Sequence, residues 1–484
     1  MNILWPVLDL YRGNNQFLGI MTIAGLLESY GHHSEVVDAD YRTVADKLQK
    51  GDFKIVAFST MSLYCLSYLR LNRKLKETFP IFSVFGGPHP TYFPEMIHQE
   101  GVDGICIGEG EFAMLDLVRN LSAGKPITDI PNWWVKKDGQ VHKNAVRPLI
   151  EDLDELPFPN RGIFRSVNPK GTWRTVVMTT RGCPYSCTYC FNNAYKKLYT
   201  DRGKIIRRRS VSNVISEMET IKRHSCYKYI HIVDDLFTLS SRWMKEFTDA
   251  YRENIRLPFS CFARVEHITQ EVVDDLKRAG CRRMIVGIET GDERIRQKLF
   301  KRNMSDEEII SAARMIKKAG IKLMTTNILG IPGASLDSDL KTFDLNARLK
   351  PDYAGVNLLQ PYPGTEIYEY ARRLGMLSSE VGDGERKEVM ISSVIKFPSE
   401  MEQRKAENFE KFFSLVVKFP AILPLVKRLI RWPQNRIFNT LHSLWTNYCV
   451  YFRIIPFRIG ILAIWEKIPI RVRRISSRLS LLIL

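Results

Sequence analysis

The chain has 484 residues, 45% hydrophobic and 26% charged, a composition that suits two or three globular domains and excludes a disordered or fibrous chain. The formal net charge is +18, but residues 411–484 hold 13 Lys and Arg against the single acid Glu466. Most of the excess, +12, therefore sits in the tail, which argues against a nucleic-acid surface on the body.

Residues 1–125 alternate short apolar runs with amphipathic stretches. Strands are predicted at Ile3–Leu8, Ser34–Asp38, Lys54–Ser59, Ile81–Phe85 and Gly104–Ile107, with helices such as Leu18–Tyr30, Ser62–Thr78 and Glu111–Leu121 between them. Strands separated by helices predict an α/β domain with a parallel, doubly wound sheet, whose ligands bind beyond the carboxyl ends of the strands. Small and polar residues stand at those ends: Ser59-Thr60, Gly86-Gly87-Pro88-His89-Pro90 and Gly108-Glu109-Gly110-Glu111. Helix caps and tight turns would account for them equally well.

Residues 126–172 read as a hairpin around Asp138-Gly139 followed by a proline-rich linker. From 173 to 365 a second alternation places strands at Thr175–Thr179, Tyr229–Val233, Phe259–Phe262, Met284–Ile288, Lys322–Leu329 and Tyr353–Asn357. Strand–helix units in that series predict a partial (β/α)6 barrel with its chemistry at the strands' carboxyl ends. Residues 366–410 read as a helical connection and 411–484 as a separate basic, amphipathic, helical C-terminal tail. Pro420, Pro424, Pro433, Pro456 and Pro469 break that tail, and Trp432, Trp445 and Trp465 lie near its charges, a pattern suited to an anionic bilayer surface. Packing of the same helices on the barrel or on a partner subunit is the alternative. The start of the chain lacks a charged and apolar leader, and no run reaches about 18 apolar residues, so a transmembrane helix is not expected. A cytoplasmic protein, peripheral on the inner membrane face, is the expectation.

Three of the nine cysteines fall within eight residues, in Thr180-Arg181-Gly182-Cys183-Pro184-Tyr185-Ser186-Cys187-Thr188-Tyr189-Cys190; the others are scattered, as in a reducing compartment. Three thiolates on one loop can ligate three irons of a cubane and leave the fourth open. A zinc site would want further ligands from elsewhere, and no Cys/His pair lies nearby in sequence.

The Cys-x-x-x-Cys-x-x-Cys spacing, with an aromatic before the last cysteine, resembles the signature of radical S-adenosylmethionine (SAM) enzymes. The resemblance implies a [4Fe–4S] cluster on Cys183, Cys187 and Cys190, whose open iron binds SAM and cleaves it to a 5′-deoxyadenosyl radical. It implies SAM contacts for Tyr189 (adenine), Asp234 and Asp235 (methionine amine), Arg264 (carboxylate) and Glu289 (ribose). It also implies close backbone approach at Gly330, Pro332 and Gly333.

Residues 1–380 further resemble the cobalamin-binding radical SAM proteins, a group that includes anaerobic magnesium-protoporphyrin ester cyclase and many C-methyltransferases. The resemblance rests on Gly86-Gly87-Pro88-His89-Pro90-Thr91, Gly108-Glu109-Gly110-Glu111, Leu153-Asp154-Glu155-Leu156-Pro157-Phe158-Pro159 and Pro361-Tyr362-Pro363-Gly364-Thr365. It implies cobalamin contacts for Ser59, Thr60, Gly86, Gly87, Gly108, Glu109 and Gly110. One departure is plain: Asp9-Leu10-Tyr11-Arg12-Gly13 lacks the histidine that many cobalamin domains offer as lower axial ligand.

The implied activity is cobalamin-dependent methylation of an unactivated carbon in a small-molecule substrate, with an electron donor such as flavodoxin or ferredoxin and no nucleic-acid partner; the membrane reading of the tail suggests that the substrate is a lipid or another apolar compound. Radical cyclisation or oxidation without methyl transfer, a cobalamin-free radical enzyme and a cluster- or cobalamin-based sensor stay open. A methylthiotransferase would need three more cysteines early in the chain, and only Cys65 and Cys106 precede the signature.

Overall fold

The computed structural model describes residues 1–8, 17–164, 173–223, 227–377, 394–449 and 453. Its first sheet contains five parallel strands: β1 (Asn2–Val7), β2 (His33–Asp38), β3 (Phe53–Ser59), β4 (Phe82–Gly86) and β5 (Gly104–Cys106). Their order is β2-β1-β3-β4-β5, with helices α1 (Leu18–Ser29), α2 (Tyr41–Lys50), α3 (Cys65–Lys76), α4 (Pro88–Tyr92) and α5 (Glu111–Ser122) between them. The period of two in each strand explains the layering. Leu4, Val56, Phe58 and Phe85 point to one face and pack against Val44 of α2 and Tyr68 and Leu75 of α3. Ile3, Trp5, Ile55 and Ala57 point to the other and pack against Leu27 of α1 and Leu117 of α5. A sheet buried on both faces needs apolar residues at successive positions, as these strands have.

The hairpin of β6 (Trp133–Lys137) and β7 (Gln140–Lys143) extends the same sheet, antiparallel to β5 through Ile105↔Trp134. Asp138 and Gly139 have φ of +51° and +74° at its turn, where an Asp-Gly pair fits the twist of the strands. By sequence this hairpin belongs to the 126–172 linker; in the structure it is part of the first sheet. Local turn chemistry identifies a hairpin but not the edge it joins. Here the edge is set by Trp133, buried beneath α5 with its indole N–H donating to the Ala113 carbonyl at 2.8 Å.

The second sheet has six parallel strands in chain order: β8 (Arg174–Val177), β11 (Tyr229–Ile232), β12 (Phe259–Ala263), β13 (Cys281–Glu289), β14 (Lys322–Leu329) and β15 (Tyr353–Leu358). A short ladder of β9 (Thr180–Arg181) and β10 (Arg207–Arg208) closes over the end of β8. Helices α7 (Val211–Arg223), α8 (Ser241–Asn254), α9 (Gln270–Arg278), α10 (Asp306–Lys318) and α11 (Leu336–Leu349) cover the outside, whereas α6 (Phe191–Leu198) packs through Tyr195 and Leu198 on the core of the first domain. Their starts follow from capping; Ser305 and Glu308, for example, form a reciprocal box at α10.

Past the barrel come α12 (Glu366–Arg373), α13 (Glu400–Lys418), α14 (Leu423–Leu429) and α15 (Arg436–Tyr448). The division at residue 411 does not hold. Helix α13 runs through it and buries Phe409, Phe412, Phe413 and Val416 against Leu329, Phe343 and Ala354 of the barrel. Helices α14 and α15 pack on α13 in turn. The sequence placed the boundary where the charge changes, whereas packing follows the apolar stripe, which is continuous from Phe409 to Val417. Among the described residues no helix is long and apolar enough to cross a membrane. Pro456, Trp465 and Pro469 lie outside the described residues.

Candidate active site

The three-cysteine loop leaves β9 through Gly182, at φ +85°, where a Cβ would lie 2.1 Å from the Ile205 carbonyl oxygen. Only glycine passes there. Cys183 and Cys187 are buried and Cys190 is half-buried at the start of α6, its amide donating to the Cys187 carbonyl at 3.1 Å. All three are free thiols, and burial pushes Cys190 up to about 11, so metal ligation has to displace the proton. Among the described residues, no three His, Cys, Asp or Glu side chains converge on a single ion. What the loop offers a cubane is three thiols within eight residues of one segment, each able to ligate a different iron.

Arg264, following β12, reaches this loop. Its Nη1 donates to Cys187 Sγ at 3.2 Å, and its guanidinium lies 3.5 Å from the centre of the Tyr185 ring. Nε and Nη2 are taken by the Glu266 carboxylate, leaving Nη1 as the nitrogen that faces the cluster loop.

The two aspartates after β11 part company. Asp235 faces the central cavity beside Asn192, and partial burial raises its carboxyl. Asp234 does not face it. Its carboxylate is fully buried, accepts from the Thr179 amide at 2.6 Å and from the Thr179 hydroxyl, and ties the ends of β11 and β8 together. Burial pushes it up to about 6. β11 ends at Ile232, and the chain turns at Asp235, so the two neighbouring carboxylates leave the backbone in different directions.

Glu289 ends β13 at φ +65°, an uncommon conformation for a residue with a side chain, next to a register shift in the ladder with β14. Its near-buried carboxylate is 3.8 Å from Arg302 Nη1, which also donates to Tyr189 Oη at 3.2 Å. Arg302 Nη2 donates to the Gly287 carbonyl at 2.6 Å, and its buried Nε has no partner in the structure. Sequence reasoning missed Arg302, because a Lys-Arg pair in a post-strand loop carries the signal of a solvated charge run. Gly330 and Gly333 adopt φ of +66° and +77° around Pro332. That turn packs near Phe397 and Tyr370 and does not line the cavity, its Gly330 amide donating to Asp339 at 3.3 Å.

A cavity of about 690 Å³ lies between the carboxyl ends of the two sheets. Tyr189, Cys190 and Asp235 contribute to it from the barrel, Glu109 and Glu111 from the first sheet, and Leu153, Leu156 and Pro157 from the linker. An aromatic wall crosses it: Tyr92 of α4 stacks on Phe191 at 4.2 Å, and Phe191 packs on Tyr362 at 5.0 Å. A second space of about 220 Å³ shares the walls Glu109, Glu111 and Arg181 and runs under the first sheet's strand ends. Ser59, Gly86, Gly87, Gly108, Glu109 and Gly110 line it. An added Cβ at Gly86 would meet only Cys106 at 3.7 Å and would otherwise fill the slot, so this glycine-floored cradle at the parallel-sheet crevice fits the corrinoid contacts that the resemblance implies. Thr60 is the exception: it is fully buried, its hydroxyl donates to the Phe58 carbonyl, and it lines neither space. The Asp9–Gly13 loop lies outside the described residues.

Glu109 carries an additional load. It accepts from Arg181 at 3.0 Å and from Arg207 at 2.9 Å, while Arg181 also donates to Glu111 at 2.6 Å. Burial opposes ionisation of Glu109, but the Arg207 hydrogen bonds and the Arg181 charge hold its carboxyl below the usual range. The Glu109 amide donates to Tyr199 Oη at 2.9 Å. This polar clamp fixes the first sheet against the cluster loop.

A family model of the radical SAM superfamily matches residues 177–345, and one of the B12 binding domain matches residues 5–118. An uncharacterized methyltransferase of Pyrococcus horikoshii is 29% identical over 367 residues, covering 73% of this chain and 78% of that protein. The anaerobic magnesium-protoporphyrin IX monomethyl ester cyclase of Rubrivivax gelatinosus is 23% identical over 417 residues, covering 81% and 72%. The solved structure of the cobalamin-dependent S-adenosylmethionine radical enzyme OxsB, with aqua-cobalamin and S-adenosylmethionine bound, shares the fold. It aligns with a TM-score of 0.70 over 93% of this chain and 71% of that one, at 15% identity.

Proposed function

We propose that this chain, which belongs to the radical SAM enzymes that carry a B12-binding domain, transfers a methyl group to an unactivated carbon of a small apolar molecule. The observation that carries the reading is the shared cavity: Cys190 of the cluster loop and the glycine-floored slot of the first sheet open toward one another across Glu109 and Arg181. A cluster held by Cys183, Cys187 and Cys190 would supply an open iron for SAM and the electron for its cleavage, and a corrinoid in the glycine-floored slot would supply methyl-transfer chemistry.

The chain's own residues hold and shield. Cys183, Cys187 and Cys190 would carry the cluster, with the Arg264 guanidinium donating to the Cys187 sulfur. The Asp235 carboxyl, facing the cavity, suits an ammonium group, and the Tyr189–Arg302–Glu289 chain offers donors and acceptors to a nucleoside. Ser59, Gly86, Gly87, Gly108 and Gly110 leave room for the corrinoid's edge and tail. Apart from Asp235, the cavity's charged walls are paired with one another, Arg181 and Arg207 with Glu109, Arg181 also with Glu111, and Arg209 with Glu217; with the aromatic and aliphatic remainder this favours a substrate without strong charge. A low-potential donor of the flavodoxin or ferredoxin class belongs to the proposal, because each SAM cleavage consumes one electron.

The test is anaerobic reconstitution with iron, sulfide and hydroxocobalamin, followed by incubation with methyl-deuterated SAM and dithionite. Formation of 5′-deoxyadenosine together with transfer of the deuterated methyl group to bound corrinoid supports the reading. Deoxyadenosine formation with no methyl transfer and no retained corrinoid overturns methylation and leaves cyclisation or oxidation.

A further inference from the structure

We infer that the outer face of α14 and α15 is a docking surface for an anionic lipid bilayer. The face is apolar where packing gives no reason for it to be. On α15, Phe438 is buried against α13, but Ile437, Leu441 and Leu444 are 69%, 45% and 52% exposed. Their spacing of four and three residues puts them on one stripe of the helix, turned away from the barrel. Leu425 of α14 and Trp432 of the following turn extend the exposure, at 57% and 58%. Scattered apolar residues on a surface are ordinary; three on one stripe of a single helix form a contact surface.

Charge decides what it contacts. Lys418, Lys427, Arg428, Arg431 and Arg436 are exposed around this stripe, and no acidic residue occurs between Glu410 and Glu466. A second copy of the chain would set these cations against themselves. The segment from 450 to 484 carries seven Lys and Arg against one Glu, so its charge does not complement that of this face. A surface that is negatively charged at its boundary and apolar just beneath complements both features, with Trp432 at the depth where indoles collect. The site is remote from the cavity, and the inference stands whether or not methyl transfer is the reaction.

The experiment is flotation of the full-length protein with vesicles of neutral phosphatidylcholine and of phosphatidylcholine with anionic phosphatidylglycerol, at low and high salt. The wild type should float with anionic vesicles at least tenfold more than with neutral ones. High salt should weaken binding without abolishing it, because screening removes the charge attraction and leaves the apolar insertion. The triple variant Ile437→Ser, Leu441→Ser, Leu444→Ser and the double variant Arg428→Glu, Arg431→Glu change exposed side chains only, and an unchanged far-ultraviolet dichroism confirms their fold. Each should lose most of the flotation. Wild-type protein that ignores anionic vesicles, variants that float as well as wild type, or a wild-type dimer that the triple variant abolishes would each overturn the assignment.

Discussion

A methyl group on residue 108 would lie 2.0 Å from Tyr199 Oη and 2.9 Å from its Cζ, on a backbone at φ +82°. Gly108→Ala therefore incurs three costs. An alanine in the left-handed region costs about 1–2 kcal/mol. Loss of the hydrogen bond from the Glu109 amide to the Tyr199 hydroxyl costs about 1 kcal/mol more. Displacing a buried ring into packed surroundings adds about 1–2 kcal/mol. The single variant should lose about 4 kcal/mol in all, and Tyr199→Phe alone about 1–2 kcal/mol for the orphaned amide. In the double variant the hydroxyl is already gone, so the shortest clash disappears and the hydrogen bond is lost only once. Its destabilisation should fall about 2 kcal/mol short of the sum of the singles, far outside the additivity of unconnected sites. Urea unfolding of the four proteins, followed by far-ultraviolet dichroism, reads the coupling directly. Additive losses would mean that Gly108 and Tyr199 do not meet, and the account of how the first sheet is clamped to the cluster loop would fail.

Alanine at Cys183, Cys187 or Cys190 should remove bound iron and its visible absorbance after reconstitution, while Cys261→Ala and Cys281→Ala, in the barrel core, should keep both; iron analysis decides. Burial, aided by Arg283 and Arg174, holds the His231 ring down to about 3, so the folded protein stays unprotonated while the unfolded chain takes up a proton below pH 6.5. Stability present at neutral pH should thus be lost as the pH falls from 6.5 toward 3, at up to about 1.4 kcal/mol per pH unit, and His231→Gln should flatten that slope in urea titrations. Phe413, fully buried where α13 meets the barrel, should cost about 3–5 kcal/mol as alanine. A Phe413→Ala protein with unchanged unfolding would restore the view of residues 411 onward as a separable tail.

Much of this was legible from residues alone because it is local. The six barrel strands appear within a few residues of their predicted places, since each is a short apolar run between helices with clear caps. The cluster loop was legible because its meaning lies in covalent spacing: three thiols within eight residues remain together whatever the fold around them. The glycine pairs at 86–87 and 108–110 likewise announced strand ends where backbone must come close.

Other roles depended on partners far away in sequence, and only the tertiary structure could assign them. Asp234 and Asp235 are chemically identical neighbours, yet the turn that begins at Asp235 leaves one buried against Thr179 and the other facing the cavity. Glu109 sat in a motif that pointed to a cofactor, but Arg181 and Arg207, over 70 residues later, claim its carboxylate. Arg302 carried no signal until Tyr189 and Glu289 closed around it. The basic C-terminal region shows the same division of labour. Sequence determines that residues 411–449 are both apolar and cationic, but which apolar residues are spent on the barrel and which remain outside depends on the rotation of α13 and α15 about their axes. That rotation is set by complementary packing against Phe343 and Ala354, a contact between surfaces made from distant parts of the chain.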